Sequence, residues 1–243
     1  MEIISSKNET IKEILKLKLK KYRDEKNELL IEGYKIFEEV QKCNIKVKNI
    51  LLTKQLSERL NLNFKDEIII SQEISDKLTY NVTSQNFFAV VEKPQNEIFE
   101  GNFLILDKIQ DPQNLGAIVR TAVACDIKNL YLIDSVDLFN EKTIRASMGN
   151  VFKVSYKHIS IEDLAKICEN KTIICADMDG ENIFNLKKQD DAFGLILGNE
   201  GNGVSEEVKK YANKVVSIPM KNEVESLNVA VSMAIISYFL TNW

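Results

Sequence analysis

Four short runs in the second half of the chain constrain the fold most: Phe103-Leu-Ile-Leu106, Leu130-Tyr-Leu-Ile133, Thr172-Ile-Ile-Cys175 and Phe193-Gly-Leu-Ile-Leu197. A strand with one wet face alternates apolar and polar residues. These runs are apolar on both faces, which requires a covering layer on each side. The segments between them supply that layer, with predicted helices over Asn114–Cys125, near Glu141, over Ile161–Cys168 and over Leu227–Leu240, and a short one from Ser205. Further strands are expected at Val154–Tyr156 and Val215–Ile218. The fold class is therefore α/β, with helices on both sides of an open parallel sheet.

The first half alternates in the same way on a smaller scale. Strands are expected at Glu28–Ile31, Val47–Leu52, Glu67–Ile70 and Phe87–Val91, with helices near Tyr34–Gln41 and Ser57 and a short one before Phe87. The stretch Glu92–Gly101, with a proline, a glycine and scattered charge, breaks the pattern. It divides the chain into a smaller α/β domain, 1–95, and a larger one, 102–243. At the start, Ser6 and Glu9 have capping-box spacing, and Ile11, Ile14, Leu15, Leu19 and Tyr22 fall on one helical face. From Lys7 to Lys26, eight basic residues against four acidic leave a net +4. Such a helix is either a solvated face or an arm that contacts phosphates.

A chain of 243 residues holds two such units comfortably. Its 32 basic and 36 acidic residues sum to −4, which argues against a general coat of positive charge but leaves room for a local basic patch. Cys43, Cys125, Cys168 and Cys175 form no C-x-x-C pair and His158 is the sole histidine, so neither a zinc finger nor a Ser-His-Asp triad is easily built. Free thiols and no metal are expected. Lysines interrupt the N-terminal apolar residues and no run reaches the ~18 apolar residues of a membrane span, so a cytoplasmic protein is expected.

Three loops follow strands of the larger domain, where open α/β sheets bind ligands. In Asp111–Arg120, Asn114 and Gly116 stand where the helix is expected to begin, and Arg120 lies one turn beyond Gly116 in an apolar setting unusual for a purely solvated charge. Gly198-Asn-Glu-Gly-Asn-Gly203 has three glycines in six residues, which lets a ligand approach the main chain. Its order, G-x-x-G-x-G, is not that of a dinucleotide loop. Glu200 within it is better placed to orient a ligand than to solubilise. In Ile218–Asn228, Ser226 is a natural helix cap, and the Asn228 amide can both donate and accept.

Together the stretches N-L-G-A-I-V-R-T-A (114–122), L-I-L-G-N-E-G-N-G-V (195–204) and I-P-M-x₅-S-L-N-V-A-V-S (218–232) resemble, in order and separation, the three motifs of the TrmH/SpoU branch of the SPOUT methyltransferases. R-A-S-M-G-N at 145–150 is a further similar segment. K-K-Y-R (20–23), L-I-E-G (30–33) and T-S-Q-N (83–86) resemble the RNA substrate-binding domain that precedes the catalytic one in rRNA-modifying members, with Asn86 where many relatives have glycine. The resemblance implies a SPOUT fold with a C-terminal trefoil knot, a homodimer that uses the last helix, and S-adenosylmethionine-dependent methylation of a ribose 2′-hydroxyl in RNA. The expected substrate is 23S rRNA, at a guanosine. A tRNA substrate, a non-catalytic RNA-binding or ribosome-assembly protein on the same fold, and a nicotinamide-dependent enzyme are the alternatives.

The residues implied for catalysis are Arg120, Asn114, Glu200, Ser226 and Asn228. Those implied for the cofactor are Leu197, Gly198, Asn199, Gly201, Ile218, Pro219, Met220, Ser226, Leu227 and Asn228. Lys18, Lys20, Arg23 and Arg145 are candidates for RNA contact. A sulfonium donor leaves as a neutral sulfur, so methyl transfer needs mainly alignment and help with the hydroxyl proton. An arginine with a pKa above ~12 is a poor base. Arg120 is better suited to stabilising a developing alkoxide.

Overall fold

A computed structural model describes residues 2–61, 64, 67–94, 97–186, 191–221 and 226–241, and the chain divides into two units, Met1–Pro94 and Gln95–Trp243. The first comprises β1 (Glu2–Ile3), α1 (Glu9–Lys16), α2 (Lys20–Lys26), β2 (Glu28–Glu32), α3 (Tyr34–Lys42), β3 (Val47–Thr53), α4 (Lys54–Leu60), β4 (Ile68–Ile70), α5 (Gln72–Leu78) and β5 (Phe87–Glu92). Its sheet runs β1-β4-β3-β5-β2. β4 is parallel to β1 and β3, whereas β5 is antiparallel to β3 and β2.

The helix start differs from the capping box. Asn8 is the cap, its Oδ1 accepting from Thr10 N at 2.9 Å. The helical segment also breaks after Lys16, so Leu17 is buried and Leu19 is exposed instead of continuing the apolar stripe. Arg23 is buried, and its guanidinium donates to the carbonyls of Leu17 and Lys18 at 3.3 and 3.0 Å, which holds the break.

Glu32 is the charged anchor of this unit. At 7% exposure it accepts from Thr79 Oγ1, Tyr80 N, Asn81 Nδ2 and Gln85 N at 2.7–3.2 Å. Glu32→Ala strands these donors and is expected to cost about 2–3 kcal/mol, read as a shift of the urea midpoint at unchanged slope.

The second unit comprises β6 (Phe103–Asp107), α6 (Pro112–Ala124), β7 (Asn129–Ile133), α7 (Glu141–Ala146), β8 (Ser155–His158), α8 (Leu164–Ile167), β9 (Thr172–Asn182), β10 (Phe193–Leu197), α9 (Glu206–Lys209), β11 (Lys214–Ser217) and α10 (Val229–Leu240). Its six strands, ordered β11-β9-β10-β6-β7-β8, are all parallel. β6, β7 and β10 are buried at every position, as their composition dictates. Phe103, Ile105, Tyr131, Ile173 and Ile196 pack into one of the core clusters.

Two boundaries differ from the sequence reading in ways that matter for function. α6 begins at Pro112, not Asn114, because Asp111 caps it through Gln113 N and proline suits the first helical turn. Gly116 is consequently inside the helix and packs on α7: a Cβ there would lie 2.6 Å from Ala146 Cβ and 2.7 Å from Thr143 O. It is a contact glycine, not an anion-binding N–H. β9 runs seven residues past the predicted end at Cys175, reaching Asn182, and its register against β11 shifts between Val215 and Val216.

Candidate active site

The loops after β6 and β10 are joined along their length. At the base, Asp107 Oδ2 accepts from Ser205 N at 2.8 Å. Next, Asn199 Nδ2 donates to Lys108 O at 2.9 Å. At the mouth, Glu200 accepts from Gln110 N, Asp111 N and, at 2.9 Å, Asn114 Nδ2. The anion at the start of α6 is thus the protein's own Glu200. Burial pushes the Glu200 carboxyl up, but the Asn114 amide and backbone N–H groups outweigh it and hold the group below the usual carboxylate range.

Asn114 Oδ1 in turn accepts from Asn228 Nδ2 at 2.9 Å. The other end of the Asn228 amide caps α10, with Oδ1 accepting from Ala230 N and Val231 N. Asn228, not Ser226, is therefore the helix cap. Three stretches of chain meet in one line of side chains, Glu200–Asn114–Asn228.

A depressed carboxylate contributes stability that is complete above its unfolded-state value and is lost as pH falls through its folded value. The stability difference between wild type and Glu200→Gln is accordingly expected to be flat from pH 8 to pH 5. It should shrink only on further acidification, as followed by denaturant titration.

Beside this line lies a cavity of about 410 Å³ whose wall includes Leu197, the loop Gly198–Gly203, Ile218, Met220, Ser226 and Leu227. The loop is closed by reciprocal backbone bonds of 2.9 Å between Asn199 and Gly203, and Asn199 Oδ1 accepts from Gly201 N and Asn202 N. Gly198 is required by close approach: a Cβ would sit 2.1 Å from the Gly203 carbonyl carbon and 2.2 Å from Val204 N. Eight of the ten expected cofactor residues line the cavity; Pro219 and Asn228 do not. Positions 222–225 of the third loop lie outside the described residues.

Sequence reasoning missed Ala176, Asp177 and Met178, contributed by the extension of β9, and Ser232 and Ile236 from α10. Asp177 pairs with Lys209 at 2.7 Å. Burial raises its carboxyl, but Lys209 and the Asp179 N–H bring it below the ordinary value. The adjacent Cys175 thiol is pushed up to about 12 by burial and neighbouring carboxylates, so it stays protonated. Apolar walls, a glycine-lined main chain and a few polar groups suit a nucleoside carrying an amino-acid tail.

Arg120 does not line the cavity. It is exposed on α6 and makes no hydrogen bond or ion pair among the described residues. Of the RNA-contact candidates, Arg23 is turned inward, onto the carbonyls of Leu17 and Lys18. Lys18 is bound to the carbonyls of Lys77 and Thr79, Lys20 pairs with Asp24, and Arg145 is exposed at the end of α7. Among the described residues no cluster of His, Cys, Asp and Glu could hold a metal ion, and no helix is long and apolar enough to cross a membrane.

Residues 101–238 match the model of the SpoU rRNA Methylase family, and residues 8–89 match that of the MRM3-like substrate binding domain. The chain is 31% identical over 246 residues to the 23S rRNA (guanosine(2553)-2′-O)-methyltransferase RlmP of Bacillus subtilis (strain 168), covering 98% of each. The crystal structure of an RNA 2′-O ribose methyltransferase superposes with a TM-score of 0.84 at 25% identity, over 99% of this chain and 98% of that one. An AdoMet-bound rRNA methyltransferase from Sinorhizobium meliloti shares the fold, with a TM-score of 0.86 at 23% identity over 99% and 97% of the two chains.

Proposed function

The chain belongs to the SpoU rRNA methylase family, and from that premise we propose that it transfers a methyl group from S-adenosylmethionine to a ribose 2′-hydroxyl of 23S rRNA, with guanosine as the target nucleoside. The observation that carries the reading is the meeting of Glu200, Asn114 and Asn228 beside a glycine-lined cavity. When bound there, S-adenosylmethionine supplies an electrophilic methyl group on a sulfur that departs neutral.

The chain's own residues do the rest. Main-chain groups around Leu197, Gly198, Ile218, Met220 and Leu227 hold the cofactor, with Asn199, Gly201 and Ser226 shaping the wall. Arg120 binds the 2′-hydroxyl and stabilises the alkoxide as its proton passes to solvent water. Asn114, Glu200, Ser226 and Asn228 keep ribose and guanidinium in register.

Residues 1–95 serve as the RNA substrate-binding domain and 102–243 as the methyltransferase domain, a division supported by the two family matches. The same reading includes a C-terminal trefoil knot, supported by a sheet order in which β11 lies beside β9 and not β10. It also includes a cytoplasmic homodimer. α10 is apolar along most of its length, yet Val231 and Tyr238 on it are each 47% exposed. Sedimentation is expected to give a dimer for wild type and a monomer for Val231→Glu/Tyr238→Glu.

The function is tested by mapping ribose methylation across ribosomal and transfer RNAs from cells that lack the gene. Loss of one 23S rRNA mark, restored by the wild-type gene, is expected. An intact rRNA map with a missing tRNA mark would move the substrate to tRNA, and two intact maps would overturn the activity.

A further inference from the structure

The cavity beside Gly198–Gly203 carries ionisable groups of one sign. Among the described residues that line it, Asp177 and Glu200 are the only charged side chains, with no lysine, arginine or histidine beside them. Both are held below the usual carboxylate range, so both are anionic at neutral pH. Glu200 is committed to the line through Asn114, with donors on both of its oxygens. Asp177 has no part in that line. It stands where β9 turns from apolar to polar, two residues past the buried Cys175, and is half-buried.

Two contacts fix how Asp177 is presented. Its Oδ2 accepts from Lys209 Nζ of α9 at 2.7 Å, and its Oδ1 accepts from Asp179 N at 3.0 Å. Lys209 does not line the cavity, so the wall shows the carboxylate and not the ammonium that holds it. A partly buried ion pair adds little stability that an apolar pair of similar volume would not, and its charge calls for another account. At about 410 Å³ the cavity keeps any cationic atom inside it within roughly a Debye length of Asp177. Apolar walls at Leu197, Ile218, Leu227 and Ile236 weaken the screening further.

We infer that Asp177 is a specificity-determining residue that makes the site prefer the cationic methyl donor to its neutral product. The inference rests on the reading of the cavity as the S-adenosylmethionine site. Donor and product share adenosine and the amino-acid tail and differ only at sulfur. When the methyl carbon bonds to the ribose oxygen and the carbon–sulfur bond breaks, the bonding pair returns to sulfur and its positive charge disappears, while the hydroxyl proton passes to water. The attraction to Asp177 disappears with that charge. Spent S-adenosylhomocysteine is then held less firmly than the donor that replaces it.

The test is calorimetry on the full chain at neutral pH with three ligands: S-adenosylmethionine, S-adenosylhomocysteine and sinefungin, which has an amine in place of the sulfonium. Asp177→Asn keeps the side chain's shape and removes its charge. It is expected to weaken S-adenosylmethionine and sinefungin about tenfold and to leave S-adenosylhomocysteine within about twofold of wild type. Lys209→Met leaves the carboxylate unopposed and should shift the ratio the other way, tightening both cations about threefold relative to S-adenosylhomocysteine. Opposite shifts from the two ends of one ion pair are not what lost packing would give. The ratio is taken within each variant, so a smaller folded fraction does not alter it. Equal weakening of all three ligands by Asp177→Asn would place Asp177 at a group they share and overturn the inference, as would an unchanged ratio. A wild-type chain that binds none of the three would overturn the cofactor reading and this inference together; binding of all three with an unmoved ratio would overturn the inference alone.

Discussion

Replacing Arg120 with alanine is expected to lower the rate of methyl transfer by about 10²–10³-fold, the usual effect of removing a group that stabilises developing negative charge. Cofactor affinity and thermal stability should stay at wild-type values. The expectation follows from where the side chain is. It lines no part of the cavity beside Gly198–Gly203, and it has no partner among the described residues whose loss could destabilise α6. Its guanidinium is left with five donors for a ligand. Arg120→Lys keeps the charge but loses the planar fork and should recover only part of the rate. Calorimetry with S-adenosylhomocysteine is the check. If Arg120→Ala loses cofactor binding along with turnover, its role is structural.

The second large effect belongs to Gly198. Alanine there would place a methyl group 2.1–2.2 Å from backbone atoms of Gly203 and Val204, which no rotamer change can relieve. The loop would have to open, breaking the reciprocal Asn199–Gly203 bonds and displacing the wall of the cavity. A loss of at least about 100-fold in cofactor affinity is expected, with the melting temperature lowered by only a few degrees because the sheet beneath is untouched. A neighbouring control, Gly201→Ala, meets nothing closer than 3.5 Å and should bind nearly as wild type. Equal affinities for wild type and Gly198→Ala would mean that the cofactor does not lie against this loop.

Much of the second unit was legible because its strands are uniformly apolar, which leaves no choice but burial between helices. The order of those strands was not. Nothing in T-I-I-C-A-D-M-D-G-E-N says that its polar second half continues as strand along β11, so Ala176–Met178 escaped notice as cavity wall. The start of α6 was misplaced because Asp111-Pro112 reads equally as a turn and as a cap followed by a first helical residue. Basic residues of the first helices read as phosphate contacts because a sequence shows charge without partners. Only three dimensions reveal that Arg23 points to carbonyls and that Lys18 completes the end of α5. Asn114, Glu200 and Asn228 were found as separate candidates from three loops. That they form one hydrogen-bonded line, with Asn228 also the cap of α10, could not be read from spacing.

The seam between the loops after β6 and β10, from Asp107–Ser205 through Lys108–Asn199 to Asn114–Glu200, leaves neither loop able to shift alone. Whatever settles against one of them is felt by the other. Methyl donor and acceptor strand should then favour each other's arrival, and linkage requires the factor to be the same in both directions. The saturated enzyme would draw in its substrate by as much as the substrate retains the donor.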